Sequence, residues 1–315
     1  MAVKAVNDLS NFIGQANIIE SLKNEIGGAK MLGQPTRDLL LVGNAGVGKT
    51  TLTRHIAGQI GVNIHELCGT RILKLHHLSE LIKTMQAFEI LFCDEIHVTD
   101  HAIQEALQRV MTDRIISGFQ KDALTGKWKQ AEDIRVPPIT IIAATDRPGA
   151  LLKALLSRFG TPVAMRLYSV DELKRIIRAK ACQLNLLLTD TAATKIAESC
   201  TGIPREAMQR LDVIQKYAAI KQISQITPEA VQECLALHGI NALGLGPLEQ
   251  EYLKVVYAAS FSGLRLITLE TVLSVDARFI QRNIEPKLIQ LGLVKIDLRR
   301  RITLKGAQCV ERDFQ

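Results

Sequence analysis

Residues 39–51 read LLLVGNAGVGKTT: a short apolar run breaks into three glycines and ends on a lysine and two threonines. Four apolar residues in a row have the make-up of a buried strand, and the continuation TTLTRHIAGQI has helical character. Between them, Gly43 to Thr50 satisfies G-x-x-x-x-G-K-[ST] in strand-loop-helix order, the setting that this motif requires. The glycines let the backbone curl until its N–H groups point at phosphate oxygens, and the start of the following helix adds partial positive charge. Asn44, Ala45, Gly46, Val47, Gly48, Lys49, Thr50 and Thr51 are therefore the expected cradle of a nucleoside triphosphate. Lys49 is placed for the β- and γ-phosphates and Thr50 for Mg²⁺. The plainer alternative is an ordinary glycine turn at a strand-helix junction.

A second element bears on hydrolysis. In EILFCDEIH, the apolar residues Ile90 to Cys93 form a strand that delivers Asp94 and Glu95 at its carboxyl end, where open α/β sheets bind ligands. Asp94 is expected to hold the metal through its water shell and Glu95 to polarise an attacking water. Adjacent acids at a strand end are often only a solvated loop entry. Downstream of a phosphate loop, the functional reading is preferred.

Outward from these motifs, DLLLVG, NIHELC, EILFCDE, ITIIAAT and VAMRL alternate with helix-like stretches from Asp38 to Leu167. Nearly continuous apolar strands separated by helices indicate a parallel sheet covered on both faces, an α/β fold. Residues 113–137 interrupt it with two β-capable arms around a polar centre containing Gly126, the pattern of a protruding hairpin. From Ser169 to His238 the period is helical, opening on the capping-box spacing Ser169 to Glu172. After HGINALGLG come three helices (247–260, 268–273, 277–291) and two strands, LVKID and RITLK, around a turn at 298–300. That is a winged-helix pattern. The expected domains are 1–167, 168–240 and 241–315: a P-loop α/β domain, an all-helical domain and a winged helix.

The 315 residues carry a net charge of +7, which permits a polyanionic partner without identifying one. No run of about 18 uncharged apolar residues occurs, and MAVKAVNDLS lacks an apolar signal core, so no membrane role is expected and the chain is read as cytoplasmic. Cys68, Cys93, Cys182, Cys200, Cys234 and Cys309 stand singly, as reduced core thiols do. His65, His76 and His77 near Cys68 lack the spacing of a tetrahedral metal set, and LSELIKTMQ reads as a helix packed on the sheet.

In this order the motifs resemble those of AAA+ ATPases, and in detail the RuvB family, the motors of Holliday-junction branch migration. LSNFIGQ, LLLVGNAGVGKTTL, LFCDEIH, IAATDRPGALLKALLSRFG, LYSVDELKRII, GIPREAMQRL and IEPKLIQLGLV carry the resemblance along nearly the whole chain. It implies that Phe12 and Ile13 frame an adenine and that Tyr168 closes over it from the second domain, which is then the AAA+ lid. Arg158 in LLSRFG matches an arginine finger that reaches the γ-phosphate bound by a neighbouring subunit, and charge spreading over the phosphoryl oxygens calls for such a donor. Arg205, after Pro204 in GIPR, matches the second sensor. The family usually presents Thr or Asn where Asp146 stands; an ionised aspartate there repels a γ-phosphate, so a sensor role and a turn-capping role are both open, and Thr145 is a substitute. The resemblance also implies ATP and Mg²⁺ as cofactors, a hexameric homo-oligomeric ring, and a RuvA-like partner on the hairpin.

Arg299, Arg300 and Arg301 fall at the wing turn with Lys295 and Lys305 beside them, so five cations are expected along one phosphate backbone. Aromatic residues for stacking on unpaired bases are few there, which favours double-stranded DNA, a four-way junction included, read without sequence preference. A solvated turn or a protein-docking winged helix is the plainer reading. The hairpin centre KDALTGKWKQAED departs from the apolar tip of the family, with Leu124 and Trp128 its only large apolar groups. Trp128 is expected either to anchor a partner or to pack down on the domain. A branch-migration translocase is the first functional expectation. The alternatives are a DNA-binding AAA+ switch or loader from a mobile element, and a protein-remodelling ATPase that uses the winged helix as an interaction module.

Overall fold

The computed structural model describes residues 8–68, 74–122, 126–259 and 262–313. The chain divides into two compact units between Leu167 and Tyr168. In the first unit, the elements in chain order are α1 (Ala16–Leu32), β1 (Leu39–Val42), α2 (Lys49–Ile60), β2 (Ile64–Cys68), α3 (Leu75–Thr84), β3 (Ile90–Asp94), α4 (His101–Asp113), β4 (Ile115–Lys121), β5 (Trp128–Arg135), β6 (Thr140–Thr145), α5 (Lys153–Arg158) and β7 (Val163–Ala164). Five of the strands form a parallel sheet in the order β2-β3-β6-β1-β7, and all five apolar runs picked out in the sequence supply them.

The order matters for the site. β6 inserts between β1 and β3, with Val42 opposite Thr145 and Cys93 opposite Ala143. The carboxyl ends of these three strands therefore lie side by side, and the loops after them converge. The residues of β6 are buried throughout, as a central strand covered on both faces requires. Leu40, Leu91, Cys93, Ile141 and Ala143 share one face of the sheet with Leu78, Ile82, Leu107 and Val110 from α3 and α4. Burying a side chain of this size contributes about 1.5–3 kcal/mol. Burial also pushes the Cys93 thiol up to about 12, so it acts as a small apolar group and not as a nucleophile.

The interrupting segment forms an antiparallel hairpin, β4 with β5, and its register shifts between Ile116 and Gly118. Ile116 and Ile134 anchor its base in the core, while β5 is otherwise exposed. The Trp128 ring stacks on His76 at 4.6 Å, so the tryptophan packs down on α3 while remaining 39% exposed. Leu124 lies outside the described residues.

The second unit opens with α6 (Val170–Gln183), α7 (Asp190–Glu198), α8 (Pro204–Ile220) and α9 (Pro228–Leu237). The capping box forms as its spacing predicts: Ser169 Oγ accepts from the Glu172 N–H at 3.2 Å and Glu172 Oε2 accepts from the Ser169 N–H at 2.9 Å. There follow α10 (Pro247–Ala258), α11 (Leu266–Leu273), α12 (Ala277–Phe279), a π turn at Ile280–Ile284, α13 (Glu285–Gln290), β8 (Val294–Ile296), β9 (Arg300–Ile302) and α14 (Leu304–Asp313). The expected single helix over 277–291 is thus broken. Pro286 has no N–H to continue the ladder, and the turn before it is widened by a Glu285 N–H bond to the Ile280 carbonyl. β8 pairs antiparallel with β9, and Leu264 adds an isolated bridge to Arg300, completing the wing. Leu253, Val256, Leu269, Ile280, Leu288, Val294 and Ile302 give this part its own core. Hydrogen bonds join it to the helices before it: Arg210 Nη2 and Lys287 Nζ both donate to Gly244 O, at 2.9 and 2.7 Å, and Gln290 Nε2 donates to Thr201 O at 2.8 Å.

Two expectations are corrected here. Lys305 stands in the first turn of α14, not on a wing strand, because β9 ends at Ile302 and the chain turns helical two residues later. The thiol of Cys182 is exposed, whereas Cys93, Cys200, Cys234 and Cys309 are buried.

Candidate nucleotide site and nucleic-acid interface

The loop after β1 is held in shape by its glycines. A Cβ on Gly43 would stand 2.9 Å from the Met165 carbonyl, and Gly48 takes φ +100° to start α2. Only glycine meets both demands without strain. Lys49 is buried, and its ammonium donates to the carbonyls of Gly43 at 2.8 Å and Asn44 at 3.1 Å. The charge therefore already sits in the mouth of the loop, where phosphate oxygens offer it stronger, charged acceptors than these carbonyls. Asn44, Ala45 and Thr51 are exposed, Gly46, Gly48 and Thr50 partly so, and Val47 is packed inward.

Thr50 Oγ1 donates to Asp94 Oδ2 at 3.0 Å, so the loop hydroxyl and the carboxylate at the end of β3 meet. Two hard oxygen ligands at this separation, beside the phosphate loop, fit Mg²⁺ that keeps part of its water shell. Asp94 Oδ1 accepts the Glu95 N–H at 3.0 Å, and Glu95 itself is left-handed, φ +52°. A non-glycine residue in that conformation is uncommon, and here it turns the chain straight out of the sheet behind Asp94.

His97, two residues on, is the group that sequence reading passed over. Its side chain is 4% exposed; Nδ1 lies 3.1 Å from Thr145 Oγ1 and 3.5 Å from Glu95 Oε2, while Nε2 lies 3.5 Å from Asp146 Oδ1. The signal was available in DEIH, where a histidine three residues past Asp94 follows the pair on the same short turn. Thr145 Oγ1 also accepts the Arg147 N–H at 2.9 Å, so Thr145 orders the turn after β6. Asp146 is exposed and lies 3.5 Å from Arg147 Nε as well as from His97.

Phe12 and Ile13 are partly buried on the segment that precedes α1, and the Phe12 ring meets His55 of α2 edge-on at 5.3 Å. Gln15 ties the same segment to the end of the unit: its Nε2 donates to Arg166 O at 2.7 Å, and its Oε1 accepts the Arg166 N–H at 3.2 Å. Arg158 ends α5 exposed and, among the described residues, without a hydrogen bond or ion pair. In the second unit, Tyr168 is buried and donates its backbone N–H to Gly202 O at 2.8 Å. Pro204 occupies the first turn of α8, where its missing N–H costs nothing, and Arg205 beside it is exposed.

The wing is less basic than its sequence. Arg300 is corrected from a surface cation to a core residue: Nε donates to Glu285 Oε1 at 2.8 Å, and both side chains are buried. Alternation along β9 is the cause, since Arg300 and Ile302 face inward and Arg301 outward. Lys295, Arg299 and Arg301 are exposed, with Lys295 directly across the ladder from Arg301. Asp297 takes an ion pair from Arg301 at 2.7 Å, and Lys305 donates to Leu291 O at 2.8 Å.

A parallel sheet of this strand order, with the phosphate loop after β1 and paired acids after β3, followed in the chain by a helical domain and a winged helix, defines a P-loop ATPase of the AAA+ class. Residues 5–165 match the family model for the RuvB Holliday-junction DNA helicase P-loop domain, 168–241 the RuvB AAA lid domain, and 242–311 the RuvB C-terminal winged-helix domain. The chain belongs to the RuvB family. It is 35% identical over 302 residues to the Holliday junction branch migration complex subunit RuvB of Fervidobacterium nodosum, covering 95% of this chain and 86% of that one. The corresponding subunit of Ehrlichia ruminantium is 33% identical over 303 residues, 96% and 90% of the two chains. The solved structure of the Thermotoga maritima RuvB Holliday junction branch migration motor superposes with a TM-score of 0.82 at 28% identity, covering 98% of both chains.

Proposed function

We propose that this chain is the ATP-hydrolysing motor subunit of a Holliday-junction branch-migration complex acting in recombination and repair. The observation that carries the reading is the meeting of Thr50 and Asp94 at the phosphate loop, with Glu95 next in the chain, in a protein whose residues 5–311 are matched by the three RuvB domain models. Residues 1–167, 168–240 and 241–315 are assigned the ATPase, lid and DNA-binding roles.

The backbone of residues 44–51 and the Lys49 ammonium bind the phosphates, and Phe12 and Ile13 frame the base, with Tyr168 closing over it. Thr50 and, through its water shell, Asp94 would hold Mg²⁺, which would supply positive charge at the phosphates. Glu95 polarises the attacking water, and Asp146, 3.5 Å from His97 on the turn after β6, is the sensor candidate. Arg158, exposed and unpaired among the described residues, is the finger offered to the site of the next subunit in a ring, so hydrolysis depends on assembly. Arg205, beside Pro204 at the head of α8, senses the nucleotide from the lid. A six-membered ring follows from the family pattern.

Lys295, Arg299 and Arg301 on the wing, with Lys305 at its margin, grip the phosphate backbone of duplex DNA, and Trp128 on the hairpin supports contact with a RuvA-type partner. Among the described residues no helix is long and apolar enough to cross a membrane. Action on DNA, as the names of the relatives imply, supports a cytoplasmic place. The test is ATP-dependent movement of synthetic four-way junctions, with and without a junction-binding partner. No movement under either condition, with ATPase activity intact, would overturn the motor reading.

A further inference from the structure

The turn after β3 and the turn after β6 bring together more ligating chemistry than ATP hydrolysis uses. Glu95, His97 and Asp146 each offer one donor atom, and these atoms all lie within 4.8 Å of one another. Two observations separate this group from an ordinary acidic cluster. The imidazole is almost fully buried, and its Nδ1 is engaged by Thr145 Oγ1 at 3.1 Å. With Nδ1 in the donor role toward that oxygen, which also accepts the Arg147 N–H, the lone pair of Nε2 is left for a metal. The lone pair of Nε2 then opposes the Asp146 carboxylate at 3.5 Å, an arrangement that a cation between them resolves.

We propose that Glu95, His97 and Asp146 form a binding site for a transition-metal dication, Zn²⁺ in the first instance, which sequesters Glu95 and holds hydrolysis off. Tetrahedral Zn²⁺ with ligands at about 2.0–2.1 Å sets its donors about 3.3 Å apart. The His97–Asp146 pair is already near that, and Glu95 and Asp146, each 35% exposed, have room to rotate inward. An imidazole in the donor set disfavours Mg²⁺, which stays with Thr50, Asp94 and phosphate oxygens. Thr145 acts from behind, fixing the ring so that Nε2 points at the metal. The third ligand is the carboxylate at position 146; a threonine there leaves two. The effect on hydrolysis rests on the reading of Glu95 as the water-polarising base, whereas binding itself does not.

Co²⁺ titrated into the full chain tests the site by its visible d–d absorption. One Co²⁺ per chain, displaced by Zn²⁺ and retained in excess Mg²⁺, is expected. Asp146→Thr, at an exposed position, is expected to weaken binding at least about tenfold, and His97→Gln likewise. ATPase assays with Mg²⁺ present should show Zn²⁺ inhibiting the unaltered chain, and the residual activity of Asp146→Thr resisting it. No Co²⁺ band, or a band that both variants keep, overturns the proposal: a proton then bridges His97 and Asp146, or the metal sits elsewhere. Co²⁺ binding lost in both variants, in a chain without any ATPase activity, supports the site and removes the functional reading instead.

Discussion

Arg300 and Glu285 form a buried ion pair: Nε to Oε1 is 2.8 Å, with side chains 10% and 6% exposed, and the Tyr252 hydroxyl donates to the same oxygen at 3.1 Å. The pair pins β9 to α13, the helix after the π turn. Removing one partner strands a buried charge, so Arg300→Ala is expected to destabilise the winged helix by about 3–5 kcal/mol. Arg301→Ala, on the opposite face, should stay within about 0.5 kcal/mol. Thermal unfolding of the two variants distinguishes this from a DNA-binding role for Arg300; an unchanged Tm in Arg300→Ala with weakened duplex binding would restore the surface reading.

On the outer face, removing a cation that pairs with one phosphate should reduce the dependence of log K on log salt by about 0.9. Alanine at Lys295, Arg299 or Arg301 is expected to show this, and binding should fall to a similar degree on unrelated duplex sequences. Asp297 stands among these cations, and hydrogen bonding from the Arg299 backbone N–H holds its carboxyl below the usual range, so it is ionised near neutrality. Asp297→Asn should therefore strengthen duplex binding. A salt titration in which the three alanine variants keep the original slope would remove the wing from the interface.

The sheet was legible because its strands are buried on both faces and so read as unbroken apolar runs, and the phosphate loop because glycine spacing leaves the backbone few alternatives. Arg300 was misplaced for a physical reason: in RRR the composition announces a basic surface, but the period of a strand sends the middle residue to the other face. The break at Pro286 and the last helix, α14, escaped because a widened turn preserves helical periodicity and a strand-length apolar pattern runs straight into LKGAQCV. His97 was legible only in part: DEIH sets it beside Glu95, but Thr145 and Asp146 lie about fifty residues away in sequence and are brought near by the insertion of β6 beside β3.

At the candidate catalytic centre, Glu95→Gln keeps the shape and removes the base. Hydrolysis is expected to fall by about 10²–10⁴, with nucleotide binding retained. Arg158→Ala should cost about 10³–10⁵ in turnover, also without loss of binding. Mixing Arg158→Ala with Glu95→Gln chains separates action within a subunit from action between subunits, because a neighbour-supplied finger restores activity at those interfaces where an intact Glu95 meets an intact Arg158. Mixed chains with no activity above either parent would mean that Arg158 does not act on a neighbour's site.

Glu89 gives the first unit a pH dependence of known sign. Its carboxylate is buried at the start of β3, accepting from the Gln86 N–H at 2.9 Å, Asn63 Nδ2 at 2.7 Å and His65 Nε2 at 2.8 Å. These donors, the Gln86 backbone N–H foremost, stabilise the charged form and lower its pKa from the 4.5 of an unperturbed glutamate. A depressed carboxyl contributes stability that is complete above the unfolded value and is lost as pH falls through the folded one. Glu89→Gln is therefore expected to melt below the unaltered chain near neutrality, and the gap should narrow below about pH 4.5. Thermal unfolding followed at several pH values reads this directly. A gap of constant size across that range would mean that the Glu89 network contributes through shape alone and that its charge does not help hold β2 and β3 together.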